Sequence, residues 1–143
     1  MAPELQFDHV GIVVPTLDEG RTRFASLLAP LQWTRSFDDA ILGVSVVFAR
    51  DPAGVVYELI APFGATSPVA KVLKSRVNLL NQLAYRTRSL DESVAQLRSA
   101  GGVPVGRAAP AVAFGGARVQ FLMTPLGFIV ELIEVDRVVH QFG

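Results

Sequence analysis

The first half of the chain contains GVSVVFARDPAGVVYELI at residues 43–60, and the second half contains GARVQFLMTPLGFIVELI at residues 116–133. The two stretches align without a gap at a displacement of 73 residues and end on the same Glu-Leu-Ile. The same displacement places Leu17-Asp18-Glu19 on Leu90-Asp91-Glu92. A repeat of this length is a supersecondary module rather than a solenoid turn. Two copies predict a paired architecture with one site formed by both.

The composition predicts a compact globular protein with no charged partner. Half of the 143 residues are apolar, and 13 basic residues balance 13 acidic ones, so no nucleic-acid partner is expected. The lack of cysteine excludes disulfides, thiolate metal sites and a cysteine nucleophile. The start of the chain lacks the pattern of a signal peptide, and the longest apolar run, 41–49, is too short to span a membrane. A cytoplasmic location is therefore expected.

In each half, a segment with the pattern of a strand is followed by a segment with the pattern of a helix. A short β-branched run at 7–14 predicts a strand, and Thr16 to Glu19 forms a capping box that starts a helix ended by Pro30. The second half repeats this plan with a strand at 79–87, a Ser89 cap and a Gly101-Gly102 stop.

Three extended segments follow each helix, so each module is predicted to be βαβββ. In the first half they are 33–37, 43–50 and 54–61, and residues 51–54 provide the hairpin turn. In the second half 118–123 and 128–134 flank the turn at 124–127. The Gly/Ala/Pro-rich stretch 101–116 could supply the remaining strand or form a loop over a cleft.

These elements predict one domain over residues 1–143. Module 1 covers about 5–62, module 2 about 79–135 and a tail 136–143. The linker at 63–78 is predicted to contain a helix with Ser67 as N-cap and Pro68 at N1. Its cations, Lys71, Lys74 and Arg76, are interpreted as a solvated helix face in preference to an anion site.

Four polar side chains occupy matching places in the two modules. His9 and Glu58 lie on predicted strands of the first module, and Gln82 and Glu131 lie at the equivalent positions of the second. Because side chains alternate along a strand, His9 points away from the helix, beside Gly11. A carboxylate in an apolar strand is costly unless it is paired or bound to a metal.

Two interpretations of these residues stay open. Imidazole, amide and carboxylate donors suit a divalent ion such as Mg, Mn, Co, Ni or Zn. Alternatively, His9 is structural and the two glutamates bond backbone amides or arginines such as Arg50 and Arg86.

The ordered motifs of about residues 7–134 resemble the vicinal oxygen chelate superfamily. This superfamily includes glyoxalase I, extradiol dioxygenases, bleomycin-resistance proteins and methylmalonyl-CoA epimerase. The resemblance is greatest to the epimerase-like branch and is carried by DHVGI at 8–12, GVSVVF at 43–48, ELIAP at 58–62, SPVAK at 67–71, GGARV at 115–119 and VEL at 130–132.

The resemblance implies an α+β fold in which two tandem βαβββ modules form a cup-shaped, eight-stranded mixed sheet around a divalent metal. By position, His9 and Glu131 match metal ligands, and Glu58 matches a place where the family uses Glu or Gln. Asn81-Gln82 departs from the family pattern of two histidines, the second of which is a ligand. A glutamine oxygen can coordinate a hard ion, but it is a weaker ligand than imidazole.

The function implied is a metal-dependent isomerase or lyase that acts on a small acyl thioester, carried by CoA or a carrier protein, or on an α-oxo compound. The metal would stabilise an enolate, and Glu131 and Glu58 are the candidate catalytic bases. Two alternatives stay open: a metal-free small-molecule binding protein of the resistance type, and an accessory protein with a vestigial site. The apolar surplus, with a mean hydropathy of +0.39, and the relatives together predict a homodimer.

Overall fold

The computed structural model describes residues 3–28 and 30–143. Within these residues the chain forms nine strands and three α-helices, which confirms the predicted α+β class. The chain packs as two compact units, and each contains most of one predicted module. One unit consists of His9–Asn81 and His140–Gly143, and the other consists of the residues up to Asp8 and Gln82–Val139.

The first unit contains a mixed sheet with the strand order β2-β4-β5-β1, and β3 also pairs with β4. The β1 and β5 strands run parallel, whereas β4 is antiparallel to both β5 and β2. The elements are β1 (Gln6–Val13), α1 (Leu17–Leu28), β2 (Gln32–Trp33), β3 (Phe37–Asp39), β4 (Val44–Arg50), β5 (Val56–Pro62) and α2 (Ala70–Ser75).

The second unit contains the sheet order β6-β9-β8-β7. Here β6 and β9 run parallel, and β8 is antiparallel to both of its neighbours. A 3-10 turn, Val112–Phe114, joins β7 to β8. The elements are β6 (Leu80–Arg86), α3 (Leu90–Ser99), β7 (Val103–Ala111), β8 (Ala117–Met123) and β9 (Ile129–Ile133).

Strand pairing repeats from one module to the other residue by residue. Gly11 faces Glu58 across the parallel pair of the first module, and Ala84 faces Glu131 in the second. Phe48 is opposite Glu58 on the antiparallel side, as Phe121 is opposite Glu131. The register of the structure therefore confirms the gap-free displacement of 73 residues read from the sequence.

The predicted helix boundaries follow from local hydrogen bonds. The Glu19 backbone N–H donates to the Thr16 hydroxyl at 3.1 Å, and the Ser89 hydroxyl accepts from the Glu92 N–H. At the other end of α3, Gly101 has φ +98° and the Gly102 N–H donates to the Leu97 carbonyl. A side chain is strained at such a φ, which explains the glycine stop.

The structure differs from the predicted pattern in the second extended segment of each module. The predicted strand 33–37 is split into β2 and β3, because the Thr34 hydroxyl accepts from the Phe48 N–H and donates to Arg35 O. The part of the chain that the structure describes therefore has nine strands where eight were expected. The alternative of a loop at 101–116 is wrong for most of that stretch, since Val103–Ala111 pairs with β8 across a register shift between Val105 and Ala109.

The linker helix also begins later than predicted. Helix α2 starts at Ala70, and its N-cap residue Val69 makes no side-chain capping bond. Ser67 is not the N-cap, and its hydroxyl donates to the Gly43 carbonyl. Lys71, Lys74 and Arg76 are exposed, as expected for a solvated helix face. In the described residues, none of the helices has the length and apolar character needed to cross a membrane.

An ion pair fixes the start of α3 in the second unit. Glu134 accepts from the Leu90 backbone N–H at 2.9 Å and from Arg118 Nε and Nη2, each at 3.1 Å. The two Arg118 hydrogen bonds hold the pKa of Glu134 below its ordinary value, and the Leu90 N–H acts in the same direction. A lowered pKa in the folded state means that the carboxylate stabilises the fold above the ordinary glutamate pKa and that this stability is lost as the pH falls.

We therefore expect E134Q to lower the melting temperature at neutral pH, because the amide loses the charge that pairs with Arg118. The deficit should shrink as the pH falls, since the carboxylate of the unsubstituted protein is then protonated as well. Thermal unfolding followed by circular dichroism from neutral pH down to about pH 3 measures this difference. E4Q, at an exposed position, is the control. A deficit that is constant over the whole pH range would contradict the assignment.

Candidate functional site

His9 and Glu58 form a buried pair in the first unit. The His9 side chain has no solvent exposure and Glu58 is 6 % exposed. The His9 Nε2 and Glu58 Oε1 atoms are 3.2 Å apart, a hydrogen-bond distance whose donor depends on the imidazole tautomer. Gly11 lies opposite Glu58 on β1 and presents no side chain there. The structure thus brings together two of the four candidate site residues, His9 and Glu58.

Helix α1 packs on the face of the first sheet that is opposite to Glu58, as predicted. Phe24 of α1 meets the Tyr57 ring at a centroid distance of 5.1 Å, and Tyr57 precedes Glu58 on β5. A Cβ on Gly20 would come within 2.9 Å of Val14, so this glycine allows the close approach of α1. Because adjacent residues on a strand point to opposite faces, Glu58 lies on the side away from α1.

Gln82 and Glu131 form the equivalent pair in the second unit. The Gln82 amide nitrogen donates to Glu131 Oε1 at 2.9 Å, and both residues are buried. The sequence separation in this pair is 49 residues, the same as between His9 and Glu58. Each module therefore places one nitrogen-bearing side chain, an imidazole or an amide, against one buried glutamate.

The arginines considered as partners for these glutamates contact other groups. Arg86 Nε lies 3.0 Å from the Asp8 carboxylate, and its Nη2 donates to the Phe7 carbonyl. Arg50 donates two hydrogen bonds to Gln32 Oε1, at 2.6 and 3.1 Å.

The two aspartates of β3, Asp38 and Asp39, have local partners. Asp38 accepts from the Ser45 hydroxyl across the β3–β4 pair. Asp39 accepts from the backbone N–H groups of Ile41 and Leu42, so it holds the turn that follows β3.

The end of the predicted tail, His140–Gly143, is part of the first unit. The His140 ring lies on the Phe48 ring at a centroid distance of 4.2 Å and meets His9 edge-to-face at 6.0 Å. Phe142 lies beneath the Arg50 guanidinium at 4.4 Å. The sequence offered one indication of this contact, because its only two histidines are His9 and His140.

The described residues of the site can hold a divalent cation through groups of the right chemistry. A buried carboxylate is stabilised by a cation, and a neutral imidazole or amide contributes a lone pair without adding positive charge. The His9–Glu58 and Gln82–Glu131 pairs each have this composition. The donor set thus fits a metal of the class that the sequence suggested.

Comparison with protein-family models gives a match over residues 8–121 to the Glyoxalase/Bleomycin resistance protein/Dioxygenase superfamily. This stretch includes His9, Glu58 and Gln82 and ends before Glu131. No curated protein matches the chain.

Solved structures show the same fold. A hypothetical protein from Bacillus halodurans C-125 is 23 % identical with a TM-score of 0.79, covering 96 % of this chain and 99 % of its own. Methylmalonyl-CoA epimerase from Mycobacterium tuberculosis is 28 % identical with a TM-score of 0.75, covering 92 % and 89 %. A single-substitution variant of Streptomyces coelicolor methylmalonyl-CoA epimerase, in complex with 2-nitronate-propionyl-CoA, is 22 % identical with a TM-score of 0.72, covering 91 % and 97 %.

Proposed function

The chain belongs to the Glyoxalase/Bleomycin resistance protein/Dioxygenase superfamily, and on that premise we propose that it is a metal-dependent isomerase or lyase. Its substrate is a small acyl thioester or α-oxo compound, and its reaction resembles that of methylmalonyl-CoA epimerase. The observation that carries the proposal is the pair of matched donor sets, His9 with Glu58 and Gln82 with Glu131.

We propose that His9, Glu58, Gln82 and Glu131 are the ligands of one divalent ion. The two carboxylates provide the negative charge, and the His9 nitrogen and the Gln82 oxygen complete the donor set. All four side chains are buried, so water competes weakly for the ion and its attraction to the carboxylates is strong. When bound, such an ion supplies Lewis-acid stabilisation to negative charge that develops on a substrate oxygen.

The residues of the chain would have to move the α-proton of the substrate. Glu58 and Glu131 are the proposed bases because they lie at equivalent positions of the two modules. His9 and Gln82 each contact one oxygen of their glutamate, so the second oxygen of either carboxylate can accept a proton. His9 and Gln82 would therefore orient the bases as well as bind the ion.

The thioester assignment rests on the epimerase neighbours. The one from Mycobacterium tuberculosis combines 28 % identity with coverage of most of both chains. Another is described in complex with methylmalonyl-CoA and an ammonium ion. For this chain, a CoA or carrier-protein thioester is thus the substrate class to examine first. A homodimer remains a prediction that sedimentation velocity can test.

Exchange of the α-proton with solvent tests the function directly. We expect the protein with added Co²⁺ to incorporate deuterium into methylmalonyl-CoA in D₂O, seen as a gain of mass, because removal and return of the proton passes through solvent. Exchange should stop in EDTA and return with excess metal. Absence of exchange above the buffer rate with every one of the candidate metals, Mg, Mn, Co, Ni and Zn, would contradict the epimerase assignment.

One observation favours a second function, metal-free binding of a small molecule. Glu131 already accepts a hydrogen bond from the Gln82 amide, an arrangement that satisfies a buried carboxylate without a cation. This function predicts that ligands raise the melting temperature equally with and without EDTA. A ligand effect that needs the metal would favour the enzyme instead.

A further inference from the structure

The two histidines of the chain lie side by side in the folded structure. His9 is on β1 and His140 follows all the predicted elements, yet a ligand nitrogen of each lies within 4.8 Å of the other. Their rings meet edge-to-face at 78°. Neither the repeat nor the matched donor pairs account for His140, because it lies in the tail beyond the second module.

The segment His140–Gly143 is held in place by contacts that do not depend on an ion. The His140 ring packs on Phe48, which is fully buried on β4. Two residues later, Phe142 makes a cation–π contact with Arg50. The Gly143 N–H donates to the Trp33 carbonyl on β2 at 3.2 Å. These anchors hold the imidazole of His140 beside His9 before any ligand arrives.

We propose that His140 is a further metal ligand, which supplies a second imidazole to the ion bound at His9. The inference rests on the proposed function, since it assumes a cation at the His9–Glu58 pair. Two nitrogen ligands of one zinc-type ion lie no more than about 4.2 Å apart, because each bond is about 2.1 Å long. A nitrogen separation of no more than 4.8 Å is therefore within reach of one shared ion, with at most a small movement of the half-buried His140 side chain.

This ligand changes which metal the site prefers. Carboxylate and amide oxygens suit Mg²⁺ and Mn²⁺, whereas imidazoles suit later ions of the series such as Co²⁺, Ni²⁺ and Zn²⁺. The second module provides the Gln82 amide where the family pattern has an imidazole, and His140, which packs with the first unit, replaces that imidazole. The chain is therefore selective for the later ions over Mg²⁺.

Calorimetric titration of the full chain with Zn²⁺ and, separately, with Mg²⁺ tests this selectivity. Loss of a hydrogen bond to a metal ligand already costs about 10–100-fold in affinity, so removal of a ligand itself should cost at least about tenfold. We expect H140A to weaken Zn²⁺ binding by that factor and to leave Mg²⁺ binding unchanged. H140Q, which keeps most of the side-chain volume over Phe48, should also weaken Zn²⁺ binding, because an amide oxygen suits Zn²⁺ less well than imidazole does. Q141A, at an exposed neighbour, is the matched control.

The visible spectrum of bound Co²⁺ gives a readout that a packing role of His140 would not change. We expect H140Q to shift the Co²⁺ absorption bands, because the nitrogen ligand is replaced. If H9A abolishes Zn²⁺ binding while both His140 variants keep the original affinity and spectrum, His140 is not a ligand and the proposed ion site stands. If Zn²⁺ binding is unaffected by H9A as well, the ion site itself is wrong, and this inference is wrong with it.

Discussion

The H9A variant is expected to lose divalent cation binding by at least about 100-fold and, with it, metal-dependent α-proton exchange. His9 has no solvent exposure, and its Nε2 contacts Glu58 at 3.2 Å. Removal of the imidazole deletes a ligand and leaves the Glu58 carboxylate without this partner. The carboxylate then becomes more costly to bury, so the geometry of a second ligand is disturbed too. Calorimetric titration with Zn²⁺ and Co²⁺ measures the loss.

A conservative variant separates the loss of a ligand from damage to the fold. H9Q gives the first module the amide that the second module has at position 82, and we expect its affinity to fall between H9A and the unsubstituted protein. D38N, at an exposed position of β3, is the control for weak cation binding by surface carboxylates. A folded H9A, verified by circular dichroism, that binds cations as well as the unsubstituted protein would remove the proposed site.

The L132A variant is expected to lower the free energy of unfolding by about 3 kcal/mol. Leu132 is fully buried beside Leu90, Leu122 and Val130, and it follows Glu131 on β9. The substitution leaves a cavity beneath the strand that carries the proposed base. Since domains are stable by only about 5–15 kcal/mol, the loss is a large fraction of the total. Urea denaturation followed by fluorescence of Trp33 or by circular dichroism measures it.

L126A provides the control for this core variant. Leu126 is 84 % exposed in the turn between β8 and β9, so its truncation should change stability by no more than about 0.5 kcal/mol. Equal effects of L132A and L126A would mean that the cluster around Leu132 contributes little to the stability of the second unit.

The sequence predicted those features that depend on residues close together in the chain or on the repeat itself. Capping by Thr16 and Ser89 needs only a side chain and a backbone N–H three residues apart. The equivalence of Glu58 in the first module to Glu131 in the second follows from a displacement that applies to the whole module. Membership of the superfamily was predicted in the same way, from the order and spacing of motifs.

The features that the sequence did not predict depend on contacts between distant residues. The Ser67 hydroxyl donates to the Gly43 carbonyl, 24 residues earlier in the chain. The local Ser-Pro pattern at 67–68 therefore predicted the wrong N-cap for α2. The β7 strand is poor in β-branched residues and interrupted by a register shift, and it is defined by pairing with β8. His140 is placed by aromatic packing on Phe48, which leaves no periodic trace in the sequence.

The matching registers of the two modules show which residue of one half is structurally equivalent to which residue of the other. The two halves have the same strand pairings, although one carries a buried imidazole and the other a buried amide at the equivalent position. Where these registers match, a side chain from one half can therefore be placed on equivalent backbone in the other half. The exchange of His9 for glutamine and of Gln82 for histidine would then move each donor type to the equivalent strand position of the other half.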